Sequence, residues 1–156
     1  MRTRGFTLIE LVVTIAIIGV LTSAAMPLVQ LTTQRAKENE LHESLRILRS
    51  ALDAYKLSAD SGHIHREMGD SGYPPSLQIL VDGVEDMRSE KKTMIYFLRR
   101  VPRDPFFPDP AVPAADTWGL RSYQSPPDDP QPGDDIFDVY TLAGGKGLNG
   151  IAYREW

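Results

Sequence analysis

The sequence predicts an α+β protein in which one long N-terminal helix packs on a small antiparallel sheet. An uncharged, largely apolar run covers residues 11–34, and leucines then recur at helical spacing as far as Tyr55. Two short strand-like segments follow in the remainder, which holds eleven of the twelve prolines. The 156 residues therefore suffice for a long helix and one compact domain.

The apolar run is long enough to cross a membrane. It extends for 24 residues, from Leu11 to Gln34, without a charge, and about 20 apolar residues span a bilayer as a helix. Arg2 and Arg4 precede it, and no acidic residue occurs before Glu10. The positive-inside rule then places the N-terminus in the cytoplasm. We expect a single membrane pass with the C-terminal domain outside the cytoplasm.

Glu10 is the unusual residue of this segment, because a carboxylate among apolar residues is costly and indicates a function. On a helix it lies one turn after Phe6. A cut between Gly5 and Phe6 would create an amine that can neutralise this carboxylate, within one chain or between neighbouring chains. Gly5 suits such a cut, since a residue without Cβ allows a peptidase to approach the backbone.

Two simpler interpretations of the N-terminus remain open. Residues 1–25 also resemble an ordinary secretory signal peptide, with Ser23-Ala24-Ala25 as a cleavage site. A plain membrane anchor is the other alternative. Neither interpretation explains why a carboxylate, Glu10, stands in the apolar segment.

The helix is expected to continue well beyond the apolar run. Apolar residues recur at steps of 4, 3, 4 and 3, which is the spacing of one helical stripe: Leu41, Leu45, Leu48, Leu52 and Tyr55. The charged residues between them predict a solvated face: Glu38, Glu40, Glu43, Arg46, Arg49, Asp53 and Lys56. One helix from Phe6 to near Ser58 would be roughly 80 Å long. Pro27 would interrupt it, with Thr22 and Ser23 bonding the freed backbone groups.

The C-terminal part predicts short elements joined by loops. Residues 76–81 indicate a short helix capped by Ser76. Residues 94–101 are an apolar patch whose pattern does not distinguish a helix from a strand. Residues 120–125 and 136–142 predict two paired strands. The connection between them, residues 126–133, contains four prolines and a glycine and is expected to be a loop.

Residues 4–10, Arg-Gly-Phe-Thr-Leu-Ile-Glu, resemble the prepilin signature of type IV pilins and type II secretion pseudopilins. This resemblance implies that a prepilin peptidase cuts after Gly5 and methylates the new amine of Phe6. It makes Glu10 the assembly glutamate. It also places Gly19 and Pro27 where the family has residues that loosen the helix.

Later segments resemble the G-type major pseudopilin of type II secretion: residues 51–57, Tyr73-Pro74, residues 100–105, Trp118-Gly119 and residues 137–142. The resemblance implies a pilin-like fold over nearly the whole chain. The implied parts are a leader peptide at 1–5, a transmembrane and assembly helix at 6–30, its amphipathic second half at 31–58, and a periplasmic globular domain at 59–156.

Calcium is the cofactor that the resemblance raises, because major pseudopilins hold this ion in the loop after the last strand. Here that loop, residues 143–156, lacks aspartate and contains Lys146, whereas calcium requires six to eight oxygens. We therefore expect no cofactor. Five aspartates outside the loop are the alternative calcium ligands: Asp128, Asp129, Asp134, Asp135 and Asp138.

Other chemistry is scarce. The chain has no cysteine, hence no disulfide or thiol nucleophile, and His63-Ile64-His65 in a polar loop is a weak metal signal. No catalytic motif stands out. The net charge is −4, and removal of Arg2 and Arg4 leaves 15 basic against 21 acidic residues, or −6. This balance argues against nucleic-acid binding, which requires basic patches.

The sequence and the resemblance together indicate a structural subunit and no enzyme. The expected location is the bacterial inner membrane before assembly and a periplasmic filament afterwards. The implied partners are a prepilin peptidase, copies of the chain, other pseudopilins and the inner-membrane secretion platform. A type IV pilus subunit for adhesion, motility or DNA uptake is the first alternative. A secreted binding domain with an ordinary signal peptide is the second.

Replacement of Gly5 by leucine should block processing, because its side chain would crowd the peptidase at the bond to be cut. Immunoblotting of membranes should then show full-length precursor in place of the shorter mature chain. Gly19→Leu, a matched change outside the signature, should be cut normally. Efficient maturation of Gly5→Leu to a chain that begins at Phe6 would refute the assigned site.

Overall fold

The computed structural model describes residues 6–156, and within 24–28 it describes the backbone alone. Its contacts divide the chain into two units, of which the first ends at Lys37 and the second is Glu38–Trp156. Helix α1 (Leu8–Asp60, 53 residues) contributes to both units. The predicted helix from Phe6 to near Ser58 is therefore confirmed to within two residues at each end.

Short elements follow α1 in the second unit. They are helix α2 (Ile79–Asp82), strands β1 (Val84–Glu85) and β2 (Met94–Ile95), a 3-10 turn (Ala114–Thr117), strands β3 (Trp118–Arg121) and β4 (Asp138–Thr141), and a final 3-10 turn (Tyr153–Glu155). Strands β1 and β2 pair as one antiparallel sheet, and β3 and β4 pair as another. The α+β class is confirmed, although the expected single sheet is two small ones.

The leucine stripe of α1 is the centre of the core, as predicted. Leu41, Leu45, Leu48, Leu52 and Tyr55 are each buried. Their cluster includes residues in or just before α2, β3, β4 and the C-terminal turn: Leu77, Leu80, Trp118, Ile136, Val139 and Tyr153. Burial of one such side chain contributes about 1.5–3 kcal/mol, so the stripe is a main source of the stability of this unit.

The strand pair is found, but both strands are displaced from their predicted bounds. Strand β3 begins two residues earlier, and its register with β4 pairs Trp118 with Thr141 and Arg121 with Asp138. It ends at Arg121 because the next residues form a turn. Ser122 donates its hydroxyl to Asp135 Oδ1 at 2.7 Å, and the Ser125 N–H bonds the Ser122 carbonyl.

The short helix α2 begins three residues later than predicted, and Ser76 does not cap it. Gln78 is the N-cap residue and makes no side-chain cap bond. The Leu80 N–H bonds the Leu77 carbonyl over three residues, the spacing of a 3-10 turn. Leu77 and Leu80 are both buried, so their insertion into the core decides where the helix starts.

A buried carboxylate joins one end of the β3–β4 sheet, where β3 begins and β4 ends, to the preceding loop. Asp104 is 1% exposed. It accepts hydrogen bonds from the Thr141 hydroxyl and, at 2.8 Å, from the Phe106 N–H. Its own N–H donates to Thr117 Oγ1 at 3.1 Å. A buried charge is costly unless it is fully bonded, so these donors fix the loop against both strands.

Of the seven residues assigned to the solvated face of α1, three are not exposed: Glu38, Arg49 and Lys56. Glu38 is buried. Arg49 is half-buried and donates from Nε to Asp138 Oδ1 at 2.8 Å. The prediction was wrong for Glu38 and Arg49 because they border the leucine stripe, where the C-terminal segment covers them. It was wrong for Lys56 because that half-buried side chain lies over the Tyr73 ring. Glu40, Glu43, Arg46 and Asp53 are exposed as expected.

The first hairpin is fastened to the end of α1 by a histidine–aspartate pair. His63 Nδ1 lies 2.9 Å from Asp86 Oδ1, and the Met87 N–H bonds the His63 carbonyl. The His63 bond, followed by the bond from the Arg88 N–H, lowers the pKa of the Asp86 carboxyl below its usual 3.8. His63 therefore has a structural role, which sequence reasoning did not assign to it.

Thr141→Val should destabilise the folded unit by about 1–3 kcal/mol, because it removes a donor to a buried carboxylate and keeps the side-chain shape. Urea unfolding followed by tryptophan fluorescence measures this change. Thr93→Val, at an exposed position, is the matched control and should be nearly neutral. Equal urea midpoints for the two variants would show that the hydrogen bond from Thr141 to Asp104 does not stabilise the folded unit.

Asp86→Asn should reduce the sensitivity of the protein to acid. A carboxyl with a lowered folded-state pKa binds fewer protons when folded than when unfolded, so stability rises with pH. Its contribution is present above pH 3.8 and is lost as pH falls through the lowered folded value. Urea midpoints measured from neutral pH down to pH 3 should therefore fall less steeply in the variant. Parallel curves would contradict this assignment.

Candidate assembly site

Thr7 and Glu10 cap the N-terminal end of α1. The N–H and hydroxyl of Thr7 donate to Glu10 Oε2 at 3.0 and 2.8 Å, and the Glu10 N–H donates to Thr7 Oγ1 at 3.4 Å. This reciprocal pattern is a capping box, which satisfies N–H groups that the first helical turn leaves free. A carboxylate here is also favoured by the helix dipole.

Sequence reasoning missed this arrangement. It assigned Glu10 an amine at Phe6 and did not consider Thr7. The signal was nevertheless local, since threonine followed three residues later by glutamate, before an apolar run, is the capping-box pattern. In the unprocessed chain the carboxylate therefore already has two hydrogen-bond donors.

The predicted site residues at this end lie close together in the chain, and one of them is outside the described residues. Phe6 directly precedes the capping box and is 82% exposed, and Glu10 is also exposed. Gly5 falls in the part that the structure does not describe. Cleavage after Gly5, methylation of Phe6 and the assembly role of Glu10 therefore stay predictions.

The two residues expected to loosen the helix both lie within α1. The helix continues past Pro27, whose side chain is not described. The hydroxyl of Thr22 bonds the Ile18 carbonyl, and that of Ser23 bonds the Val20 carbonyl, each at 2.8 Å. Proline has no N–H to bond the Ser23 carbonyl four residues before it. The two hydroxyls bond other carbonyls, so they do not replace that missing hydrogen bond. The flexibility assigned to Gly19 and Pro27 stays a prediction.

A continuous apolar surface surrounds the start of α1. Its large apolar side chains are 50–82% exposed: Phe6, Leu8, Ile9, Leu11, Val12, Val13, Ile15, Ile17, Ile18, Val20 and Leu21. A Cβ added at Gly19 would meet no atom within 4 Å. Monomeric soluble proteins rarely expose such a patch, and one this large marks an interaction surface.

A search of the described residues finds no helix with a stretch long and apolar enough to span a membrane.

The described residues offer little for catalysis or metal binding. They contain no group of three or more histidine, aspartate or glutamate side chains placed to hold a metal ion. Of the five aspartates considered as calcium ligands, Asp135 bonds Ser122 and Tyr123, and Asp138 bonds Arg49. What the arrangement can do is present an apolar helix surface with a carboxylate at its end.

Comparisons with known proteins agree with this arrangement. The family described as prokaryotic N-terminal methylation motif matches residues 1–26. The type II secretion system core protein G of Klebsiella pneumoniae is 34% identical over 112 residues, which cover 69% of this chain and 72% of that protein.

The core protein G of Klebsiella michiganensis is 30% identical over 145 residues, or 90% of this chain and 94% of that protein. The core protein G of Escherichia coli K12 is 33% identical over 109 residues, which cover 67% of this chain and 68% of that protein. No solved structure matches the chain significantly.

Proposed function

Because the chain belongs to the type II secretion system core protein G family, we propose that it is the structural subunit of a type II secretion pseudopilus. A prepilin peptidase removes residues 1–5 and methylates Phe6. The subunit waits in the inner membrane with its C-terminal domain in the periplasm. It then assembles with copies of itself and other pseudopilins into a helical filament that drives protein export, and it catalyses no reaction.

The exposed apolar surface of residues 6–21 is the observation that carries this proposal. The second unit has its own buried core, whereas the large apolar side chains of this surface are each at least half exposed. Lipid covers it before assembly, and the helices of other subunits cover it afterwards. Contacts that repeat head to tail without closing generate a filament.

Hydrophobic burial alone cannot drive the step from membrane to filament. Lipid tails are as apolar as leucine side chains, so the apolar surface gains little by leaving them for other helices. The favourable terms must be close packing and the neutralisation of polar groups. A carboxylate at the edge of the apolar surface is costly in lipid, and its pairing in the filament removes that cost.

Glu10 supplies this electrostatic term. Before cleavage its carboxylate accepts bonds from uncharged donors of Thr7. Cleavage creates a charged amine at Phe6, one helical turn away, and charged donors bind a carboxylate about twice as strongly as neutral ones. The processed subunit is thereby prepared for a charge-neutral filament core.

Of the two alternatives to this proposal, one differs in the N-terminus of its mature chain. A type IV pilus subunit shares the processing, but the related proteins above are named for secretion. A secreted binding domain would be cut by signal peptidase, so its mature chain would begin at Met26. N-terminal sequencing separates the two classes, since the pseudopilin begins with methylated Phe6.

Glu10→Ala should still be inserted and cut, but it should not enter filaments efficiently. Removal of one member of a buried charge pair leaves the other unpaired, at a cost of about 3–5 kcal/mol, so filament yield should fall by about two orders of magnitude or more. Glu10→Asp should be intermediate, because the charge remains on a shorter side chain. The measurement is the yield of sheared filaments relative to processed subunit in the membrane.

Glu43→Ala is the matched control, because it removes an exposed carboxylate of the same helix that pairs only locally with Arg46. Its filament yield should equal that of the unchanged protein. Filaments of Glu10→Ala at the same yield would remove the assembly role of Glu10. Failure of the unchanged, processed protein to form filaments would count against the proposed function itself.

A further inference from the structure

The C-terminal segment, residues 143–156, does not fit the calcium ion that its family implies. It contains a single acidic residue, Glu155, beside Lys146 and Arg154, whereas calcium prefers several carboxylates. Its turns are closed by backbone hydrogen bonds within the segment. The Gly147 N–H bonds the Ile151 carbonyl at 2.8 Å, and the Tyr153 N–H bonds the Gly145 carbonyl. The Gly145 and Ile151 carbonyl oxygens, which could act as calcium ligands, thus already accept hydrogen bonds from the segment itself.

A carboxylate from α1 reaches this segment from inside the protein. Oε1 of Glu38 accepts the Leu148 N–H at 3.0 Å and the Tyr153 hydroxyl at 2.9 Å. Glu38 is 8% exposed and Tyr153 is 5% exposed. Because these bonds join residues more than 100 positions apart, they fix the segment to the helix at two points.

A second contact holds the end of the segment. The Trp156 ring stacks on His42 with centroids 4.1 Å apart and planes 7° from parallel. Arg49 Nη2 donates to the Trp156 main-chain oxygen at 2.7 Å. A Cβ added at Gly147 would lie 2.3 Å from the Trp156 ring, so glycine is required there for the loop to close over the tryptophan.

The three helix residues involved share one face of α1. Glu38, His42 and Arg49 stand at positions i, i+4 and i+11, and eleven residues are close to three full turns. They form a polar stripe directly beside the leucine stripe. One helix thus supplies both the apolar wall of the core and the polar contacts of the C-terminal segment.

We infer that this polar stripe, with Glu38 as its principal positioning residue, organises the C-terminal segment without calcium. The buried Glu38 carboxylate binds the Leu148 N–H and the Tyr153 hydroxyl of the segment. A calcium ion would instead have to bind carboxylate and carbonyl oxygens. Folding of the second unit, and filament formation under the function proposed above, are therefore independent of calcium. Only the filament part of this inference rests on that proposed function.

The test uses the full-length protein in detergent, with thermal unfolding followed by tryptophan fluorescence in millimolar calcium or in chelator. The unchanged protein should have the same midpoint in both, because a ligand stabilises a protein only through a site. Glu38→Ala should lower the midpoint by about 5–10 °C in both conditions, since it leaves two donors unpaired. Calcium should not restore it.

Three further variants separate positioning from a general loss of stability. Glu38→Gln keeps an oxygen acceptor and should recover most of the midpoint lost in Glu38→Ala. Tyr153→Phe removes only one donor and should lower the midpoint by less, and it serves as the test if Glu38→Ala does not accumulate. Glu40→Ala, at an exposed position two residues along α1, should leave the midpoint unchanged.

A rise of many degrees with calcium that chelator abolishes would overturn the inference, as would an unchanged midpoint in both Glu38→Ala and Tyr153→Phe. Filament yield should be equal with calcium and with chelator. A yield that requires calcium would overturn the inference and leave the proposed function intact. Absence of filaments in both conditions would contradict the proposed function, while the melting curves would still decide the inference.

Discussion

Burial of one face of α1 is the constraint on which the folded unit depends. The stripe from Leu41 to Tyr55 is the longest continuous part of the buried cluster, and the other elements contribute only one or two core residues each. Two-stranded sheets are marginal by themselves. The β3–β4 sheet, whose Trp118 and Val139 belong to the buried cluster, therefore depends on its packing against the helix stripe.

Polar contacts then decide which arrangement of these weak elements is adopted. Asp104 ties the loop before β3 to Thr141 at the end of β4, and Arg49 ties α1 to Asp138 at its beginning. A one-residue slip of the strand pair would reverse the faces of Val139 and Tyr140. It would also take the Thr141 hydroxyl away from the buried Asp104 carboxylate, so the polar contacts penalise such a slip.

The two ends of the molecule satisfy their polar groups in different ways, and the difference fits the proposed function. At the start of α1 the carboxylate of Glu10 bonds, within the described part of the chain, only the nearby Thr7 and stays exposed, so it remains available for a new partner after processing. Near the C-terminus the carboxylate of Glu38 is enclosed and bonds residues distant in sequence. The first arrangement suits a subunit that must change partners, and the second suits a domain that must keep its shape.

The sequence by itself determined the features that depend on local periodicity and local chemistry. These are the long helix, its leucine stripe, the apolar start with Glu10, the strand pair and the prepilin signature. The Thr7–Glu10 capping box belongs to the same class, because its residues are three positions apart and could have been identified. Strand β3 begins two residues and ends four residues before its predicted bounds, since the turn at Ser122 depends on Asp135 beyond the proline-rich loop.

Only the tertiary structure decided the roles of Asp104, Glu38 and Arg49. Asp104 meets a partner 37 positions away, and Glu38 meets one 115 positions away. In the sequence, Glu38 and Arg49 look like any charged residues of an amphipathic helix. Whether such a residue faces water or a partner depends on where the C-terminal segment returns to the helix, and that path is set by packing of the whole core.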